Sequence, residues 1–264
     1  MGSATREAVA AAKAALAAQR GAASLAVGEQ LLSAGRVIGD SSQLLGALTD
    51  PSGAAKAKIT LITTVFGALG AQARELLAGL AQSRWSQPVD LLAGIEELGL
   101  RVLASSATAD DTDIPAELFA FGQLVASNAE LELAVGSKLG DPSAKAALVE
   151  ALLDGRASAQ TIAIVGHLVQ QPRGRRIGAL LRHAAGIVAD QASLAIAIVT
   201  VATPLSDAQL ERLRAGLEKK YGALRIQQVV DPTLLGGVRV SVGNDVIDDS
   251  VAARLNDLRL QLAG

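Results

Sequence analysis

The sequence contains no cysteine. This absence excludes a disulfide framework, a thiol nucleophile and a cysteine-ligated metal. Histidine is nearly absent as well, because His167 and His183 are the only two. A histidine-based metal site would therefore depend on several carboxylates, and we expect neither a metal nor a cofactor.

Aromatic residues are also scarce, at 2% of the chain, although half of the 264 residues are hydrophobic. The interior must therefore be built mainly from leucine, isoleucine, valine and alanine. These residues suit packed helices, so the composition favours helical bundles.

Long apolar runs are missing too. Uncharged stretches such as residues 59–73 and 191–206 are shorter than the ~20 residues that a membrane-spanning helix needs. The first twenty residues carry four charges and no apolar signal core. We therefore expect a cytoplasmic location without direct membrane insertion. The net charge of −2 gives no general attraction to nucleic acid.

Most of the chain shows helical spacing of its apolar residues. An alanine-rich helix over 1–23 has few large apolar residues, so we expect it to dock weakly or fray. Apolar stripes over 24–105 predict a first helical bundle, and those over 116–190 predict a second one. The polar, acidic stretch 106–115 between them is typical of a linker.

The two predicted bundles resemble each other, which indicates an internal duplication. Asp50-Pro51-Ser52 is echoed by Asp141-Pro142-Ser143, and Gln87-Pro88 is echoed by Gln171-Pro172. Both anchors fall in the same order between similar helix patterns.

From residue 191 the pattern changes to that of a small α/β domain ending at 264. An apolar, β-branched run over 194–202 predicts a buried strand, and Ser206 with Gln209 predicts the capping box of the following helix. Residues 224–230 predict a second strand. The fold class is therefore α+β and mostly α, with a terminal unit of order β-α-β-β-α.

The most distinctive stretch runs from Val229 to Ser250. Asp231-Pro232 and Gly236-Gly237 punctuate it, and valines alternate with polar residues over 238–242 as in a half-buried strand. We expect a turn at Asp248-Asp249, with Ser250 capping a closing helix over Val251, Leu255, Leu258 and Leu262. A Walker phosphate loop is disfavoured because no lysine and no helix follow the glycines.

This stretch resembles the C-terminal signature of the delta subunit family of F-type ATP synthase, called OSCP in mitochondria. The family usually has glycine where this chain has Asp249. Residues 113–264 match the family's plan of one helical bundle and a small α/β domain. Residues 24–105 look like the additional segment of longer bacterial forms, which is also found in b–delta fusions. The signature residues are Asp231, Pro232, Leu235, Gly236, Gly237, Asp248 and Ser250.

The resemblance implies a non-catalytic stator subunit, peripheral on the cytoplasmic side of the plasma membrane. Its bundle would bind N-terminal helices of the alpha subunits in a groove between its first and fifth helices. Its C-terminal domain would bind the C-terminal region of the b subunit. In the second bundle the groove residues would be Leu118, Phe119, Phe121, Val125, Ile177, Leu180 and Leu181. In the first bundle the corresponding segments are residues 25–38 and 91–102.

Several of these residues have a simpler interpretation. Leu118, Phe121 and Val125 share one helix face and can just fill the core, whereas Phe119 points about 100° away and is the better partner contact. A basic cluster of Arg173, Arg175, Arg176, Arg182 and His183 is more typical of a solvated helix face than of a nucleic-acid site, and a docking surface for an acidic partner is the alternative. His167 fits a packed core histidine.

Two other functions stay open. A stand-alone adaptor that binds amphipathic helices would share the helical part but would not explain the C-terminal signature. An enzyme is disfavoured because no catalytic constellation accompanies the glycine-rich segment. Asp110, Asp111 and Asp113 could suggest a cation site, but no EF-hand glycine or glutamate follows, and a solvated linker is the default.

Overall fold

The structure is a computed structural model that describes residues 2–19, 23–107, 112–137, 140–243, 245–251 and 254–255. Over these residues the chain forms twelve helices and four strands. It divides into two compact units, Met1–Val188 and Ala189–Gly264. The mostly helical α+β fold expected from the sequence is confirmed.

The first unit holds a leading helix of 16 residues, α1 (Ser3–Ala18), and two successive sets of five helices. The first helix set comprises α2 (Leu25–Gly39), α3 (Ser42–Thr49), α4 (Ala55–Val65), α5 (Ala71–Gln82) and α6 (Pro88–Ser106). The second helix set comprises α7 (Ile114–Ser127), α8 (Ala129–Gly136), α9 (Pro142–Leu153), α10 (Ala159–Gln170) and α11 (Ile177–Gln191). The proposed bundle boundaries at 24, 105, 116 and 190 stay a prediction.

The apolar stripes found in the sequence become the interiors of these helices. In the first set, Leu31 and Ile38 of α2 pack with Leu91, Ile95 and Leu98 of α6, all 2% exposed or less. Side-chain caps begin most helices: Ser24 and Ser41 each accept a hydrogen bond from the backbone N–H group three residues on. Such caps satisfy donors that a helix leaves open at its start.

The expected acidic linker is only partly visible. Asp113 caps α7 by accepting a hydrogen bond from the Ala116 N–H at 3.3 Å. Asp110 and Asp111 lie outside the described residues. The Asp-Pro-Ser echo differs locally between the sets: Asp141 caps α9 directly, whereas Asp50 forms a turn with Ser52 ahead of α4.

The expectation that the first helix docks weakly is wrong. The Thr5 hydroxyl, fully buried, donates to Asp90 Oδ2 at 2.6 Å and accepts from the Ser86 N–H at 3.1 Å. Leu16 at the other end of α1 is 6% exposed within the first core. A hydroxyl bonded at both its donor and acceptor sites anchors α1 where its alanines supply little apolar area.

The second unit is a small mixed sheet with one helix. Its strands are β1 (Ala195–Val201), β2 (Leu224–Val230), β3 (Gly237–Val242) and β4 (Asp245–Ser250), in the order β2-β1-β3-β4. Strand β1 runs parallel to β2 and antiparallel to β3. Helix α12 (Asp207–Tyr221) makes the crossover, begins at the predicted Ser206 capping box and buries Leu217 against the sheet.

The expected turn at Asp248-Asp249 is wrong, because both residues lie within β4. Val246 and Ile247 lie in the same strand. Ser250 ends β4 opposite Gly237, and Val251, Arg254 and Leu255 after it are helical, so the start of the expected closing helix is confirmed while its cap stays a prediction. Of the predicted closing helix, Leu258 and Leu262 lie outside the described residues.

Helices long and apolar enough to cross a membrane were sought throughout the described part of the chain, and none was found.

Candidate partner-binding surfaces

The two outer helices of the second set, α7 and α11, pack against each other with their apolar sides inward. A Cβ atom placed on Gly122 of α7 would lie 3.7 Å from Leu181 of α11. Of the seven residues proposed for a groove between these helices, six are 5% exposed or less: Leu118, Phe121, Val125, Ile177, Leu180 and Leu181. These six form the interior of the set.

Phe119 is the seventh, and it lies differently. Its side chain is partly exposed, between the buried Leu118 and the exposed Ala120. A partly exposed aromatic ring beside a helix–helix seam is the kind of residue that anchors a partner helix. Leu124, on the same helix about 140° away from Phe119, is 45% exposed.

A buried ionic cluster joins the two helix sets, and sequence reasoning did not find it. Glu96 of α6 is 4% exposed and accepts hydrogen bonds from Arg173 and, at 2.9 Å, from Arg175. His167 of α10 lies 3.5 Å from the same carboxylate. The Arg36 guanidinium of α2 donates to Nδ1 of His167 at 3.0 Å. We call these five residues the ionic junction.

The junction fixes the charge state of its members. Burial opposes the charge on Glu96, but His167 and the two arginines outweigh it and lower the pKa of Glu96 to about 2. Burial lowers the pKa of His167, with Glu96 opposing. His167 is therefore neutral at pH 7, and the bond from Arg36 places its proton on Nε2, the nitrogen that faces Glu96.

The backbone conformation of the loop before α11 places these two arginines beside Glu96. Arg173 has φ 48° and Gly174 has φ 76°, and the Arg175 N–H donates to the Pro172 carbonyl at 2.9 Å. A non-glycine residue at positive φ is disfavoured and persists when surrounding contacts hold it. Here the ion pair of Arg173 with Glu96 provides that contact.

The interpretation of the basic cluster as one solvated face is therefore wrong for Arg173, which is partly buried against Glu96. Arg175 pairs with the same buried carboxylate although it is 36% exposed, and Arg176, Arg182 and His183 are exposed as expected. His167 is a packed histidine as expected, at 3% exposure. One sequence feature could have revealed this buried cluster. Helix α6 is apolar around most of its circumference, so other elements must cover it on two sides.

The signature segment forms the start of the β3–β4 hairpin. The Asp231 carboxylate accepts hydrogen bonds from the Thr233 N–H at 2.9 Å and from its hydroxyl at 2.6 Å, which closes a turn over Pro232. Both glycines have positive φ angles, 128° at Gly236 and 82° at Gly237. A Cβ on Gly237 would collide with the Asp249 carbonyl and with the backbone of Ser250.

Arg239 and Asp248 face each other across this hairpin. The guanidinium donates to Asp248 Oδ2 from Nε at 2.9 Å and from Nη2 at 2.6 Å, and the Ser250 N–H donates to Oδ1 at 3.1 Å. Hydrogen bonds from Ser250 and Arg239 lower the pKa of Asp248 to about 2. The signature is thus a rigid hairpin whose acidic residues have local partners.

Large apolar side chains stand exposed around the signature. Leu235, between Asp231 and the paired glycines, is 76% exposed, and Val246 of β4 is 62% exposed. Ile247, Val251 and Val230 are exposed by 39%, 40% and 45%. Such a concentration on one small unit is typical of a surface that a partner covers.

The described residues contain no group of three or more metal-ligating side chains. Gly236 and Gly237 lead into strand β3, whereas a phosphate-binding glycine loop opens a helix. The arrangement as described is therefore of the class that acts by binding: helical surfaces followed by a rigid hairpin, each with apolar side chains facing outward.

Comparison with known proteins identifies the family. The sequence profile of the family described as "ATP synthase delta (OSCP) subunit" matches residues 101–262. The subunit delta of Leifsonia xyli is 58% identical over 264 residues, covering 100% of both chains. That of Streptomyces griseus is 38% identical over 271 residues, again covering 100% of both. A chain of the Toxoplasma gondii mitochondrial ATP synthase hexamer matches 64% of this chain and 97% of its own, with 21% identity and a TM-score of 0.38.

The chain therefore belongs to the ATP synthase delta (OSCP) subunit family. It is a non-catalytic stator subunit, a structural component of the proton-translocating ATP synthase.

Proposed function

We propose that the chain performs its stator role by bridging two partners. The second helix set binds an N-terminal helix of an alpha subunit, and the C-terminal unit binds the C-terminal region of the b subunit. The chain thereby lies peripherally on the cytoplasmic side of the plasma membrane. No bond is made or broken, and the work is mechanical: both contacts must hold while the rotor turns.

The observation that carries the alpha-subunit contact is Phe119. An amphipathic helix binds by placing apolar residues at helical spacing into a groove. The partly exposed ring of Phe119, at the seam marked by Gly122 and Leu181, offers such an anchor. The buried neighbours Leu118 and Phe121 hold α7 in place beneath it.

The observation that supports the b-subunit contact is the exposed apolar rim of the signature hairpin. Leu235 and Val246 are more exposed than almost all other large apolar residues of the described chain. The hairpin beneath them is held by Arg239 and Asp248, so the surface is preorganised. Preorganised surfaces lose less entropy on binding.

A calorimetric titration tests the alpha-subunit contact. The ligand is a synthetic peptide of the alpha-subunit N-terminal helix encoded in the same genome. Phe119→Ala should weaken binding by about tenfold or more, as expected for a central aromatic contact. Leu124→Ala is the matched control, since it removes an apolar side chain from the same helix on another side. Equal losses in both variants, or none in either, would contradict the proposed contact.

A further inference from the structure

Each helix set has a surface along the seam between its first and fifth helices, which we call its acceptor face. We propose that the acceptor face of the first set is already occupied by α10 and the loop after it. The open acceptor face is then that of the second set, and it selects a helix that carries a carboxylate against Arg182. This inference rests on the proposed function and specifies the number and the chemistry of its partners.

The two sets can be matched residue by residue through their first helices. Core residues of α7 follow their counterparts in α2 at a constant distance of 87 residues: Leu31 with Leu118, Ala34 with Phe121, and Ile38 with Val125. At the same distance, Leu32 corresponds to Phe119 and Gly35 to Gly122.

The fifth helices match in the same way, at a distance of 86 residues. Core residues pair as Leu91 with Ile177, Ile95 with Leu181, Leu98 with Ala184, and Val102 with Val188. By this match, Glu96 corresponds to Arg182.

One contact supports both matches at once. A Cβ on Gly35 would lie 3.1 Å from Ile95, and a Cβ on Gly122 would lie 3.7 Å from Leu181. The equivalent glycine therefore faces the equivalent apolar side chain in each set.

In the first set this face is covered. Leu32 is 1% exposed and Glu96 is 4% exposed. Leu32 and Arg36 border a cleft of about 430 Å³ with Ile162, Gly166 and His167 of α10. The segment that covers this face is thus a helix, α10, and it lies beside the seam between α2 and α6.

The covering continues beyond α10. A Cβ on Gly39, at the end of α2, would lie 2.5 Å from the Gln171 side chain. Arg173 and Arg175 then reach Glu96. An intramolecular segment thus contacts the face at Glu96 and at the end of α2, and a cleft separates it from the face beside Leu32.

In the second set the matching positions are open. Phe119 is partly exposed where Leu32 is buried, and Arg182 is exposed where Glu96 is buried. Gln123, which matches Arg36, is also exposed.

The charge at the matched position is reversed. In the first set the carboxylate at this position forms ion pairs with two arginines of the covering segment. The occupied face therefore shows that a charge at this position pairs with the segment that covers it. In the second set the charge at this position is the positive charge of Arg182. A helix that binds there would therefore place a carboxylate against it. Opposite charges at a helix seam contribute to register and partner choice more than to raw affinity.

The test is a calorimetric titration of the full chain with the alpha-subunit N-terminal peptide, followed by hydrogen exchange of the complex. We expect one peptide per chain. The bound peptide should protect amides of α7 and α11, while α2 and α6 stay as they were.

Arg182→Glu should weaken binding about five- to tenfold, because an attractive exposed pair becomes a repulsive one. A peptide in which the facing carboxylate is replaced by lysine should bind this variant better than it binds the wild type. Arg212→Glu makes the same charge change at an exposed residue of α12 and should leave binding unchanged.

Two peptides per chain, or protection of α2 and α6, would overturn the inference and leave the proposed function intact. So would an affinity unaffected by Arg182→Glu, or a lysine peptide that fails to recover it. Absence of any binding by the folded wild-type chain would instead refute the proposed alpha-subunit contact itself.

Discussion

The Glu96 carboxylate in α6 accepts a hydrogen bond from Arg175 at 2.9 Å, across the boundary between the two helix sets. The two residues are 79 positions apart in the sequence. One buried ion pair thus ties the first set to the loop that precedes the last helix of the second. For a stator subunit, such a tie makes the two sets one body.

Removing the charge of Glu96 should destabilise the first unit. Glu96→Gln keeps the shape but leaves Arg173 and Arg175 without their counter-charge, which costs about 3 kcal/mol of unfolding free energy. Urea unfolding followed by the fluorescence of Trp85, the single tryptophan, measures it. Glu75→Gln, at an exposed site of α5, should change the free energy by less than about 0.5 kcal/mol. A loss no larger in Glu96→Gln than in this control would refute the role of the junction.

The same residue should govern stability in acid. Because the folded-state pKa of Glu96, about 2, lies below its ordinary value of 4.5, the unfolded state binds more protons between these values. Its contribution of about 3 kcal/mol is therefore complete above about pH 5 and is lost as the pH falls towards 2.

His167 adds to this loss in the same direction. Its lowered pKa means that the unfolded state gains a proton first as the pH falls below 6.5, so stability starts to decline there. Urea titrations at pH 7, 5.5, 4 and 3 should show a decline that is shallower in Glu96→Gln below pH 5. Parallel curves for wild type and variant would contradict this assignment.

Helix α1 should detach when its hydroxyl anchor is lost. Thr5→Val keeps the size of the side chain but leaves Asp90 and the Ser86 N–H without their partner, which costs about 1–2 kcal/mol. Amide exchange in α1 should rise while α4 is unaffected. The control is Thr60→Val, whose exposed hydroxyl bonds only within α4. Unchanged protection of α1 would show that Leu16 and the alanines suffice.

The signature hairpin should tolerate no side chain at Gly237. Gly237→Ala combines a φ of 82° with a collision against the backbone of β4, so the β3–β4 pairing must separate. We expect a loss above about 2 kcal/mol in the second unit, measured by amide exchange of β3.

Gly243→Ala is the matched control for this hairpin. Its φ is 57° and its Cβ would meet nothing within 4 Å, so the cost should be only about 1 kcal/mol. If both alanines cost the same, the close approach at Gly237 is not what the signature glycine provides.

The helices and most of the sheet could be predicted because apolar periodicity determines them locally. The stripe of Leu118, Phe121 and Val125 predicts a buried helix face, and that prediction is confirmed at 3% exposure or less. The capping box at Ser206 is likewise a local property, and it is confirmed.

The remaining features depend on contacts between distant segments. Asp248 and Asp249 read locally as a turn, but pairing of Asp248 with Arg239 across the ladder places them in a strand. No residue near Glu96 in the sequence indicates that it will pair with Arg173 and Arg175. Thr5 likewise gains its importance only when α1 meets the start of α6.

The central claim is that one chain holds an alpha-subunit helix and the b subunit at the same time. The direct measurement is analytical ultracentrifugation of the full chain with a fluorescent alpha-subunit N-terminal peptide and a C-terminal fragment of b, both from the same genome. We predict a ternary complex in which saturation with the b fragment leaves the affinity for the peptide unchanged. Displacement of the peptide by the b fragment, or failure of the folded chain to bind either, would contradict it.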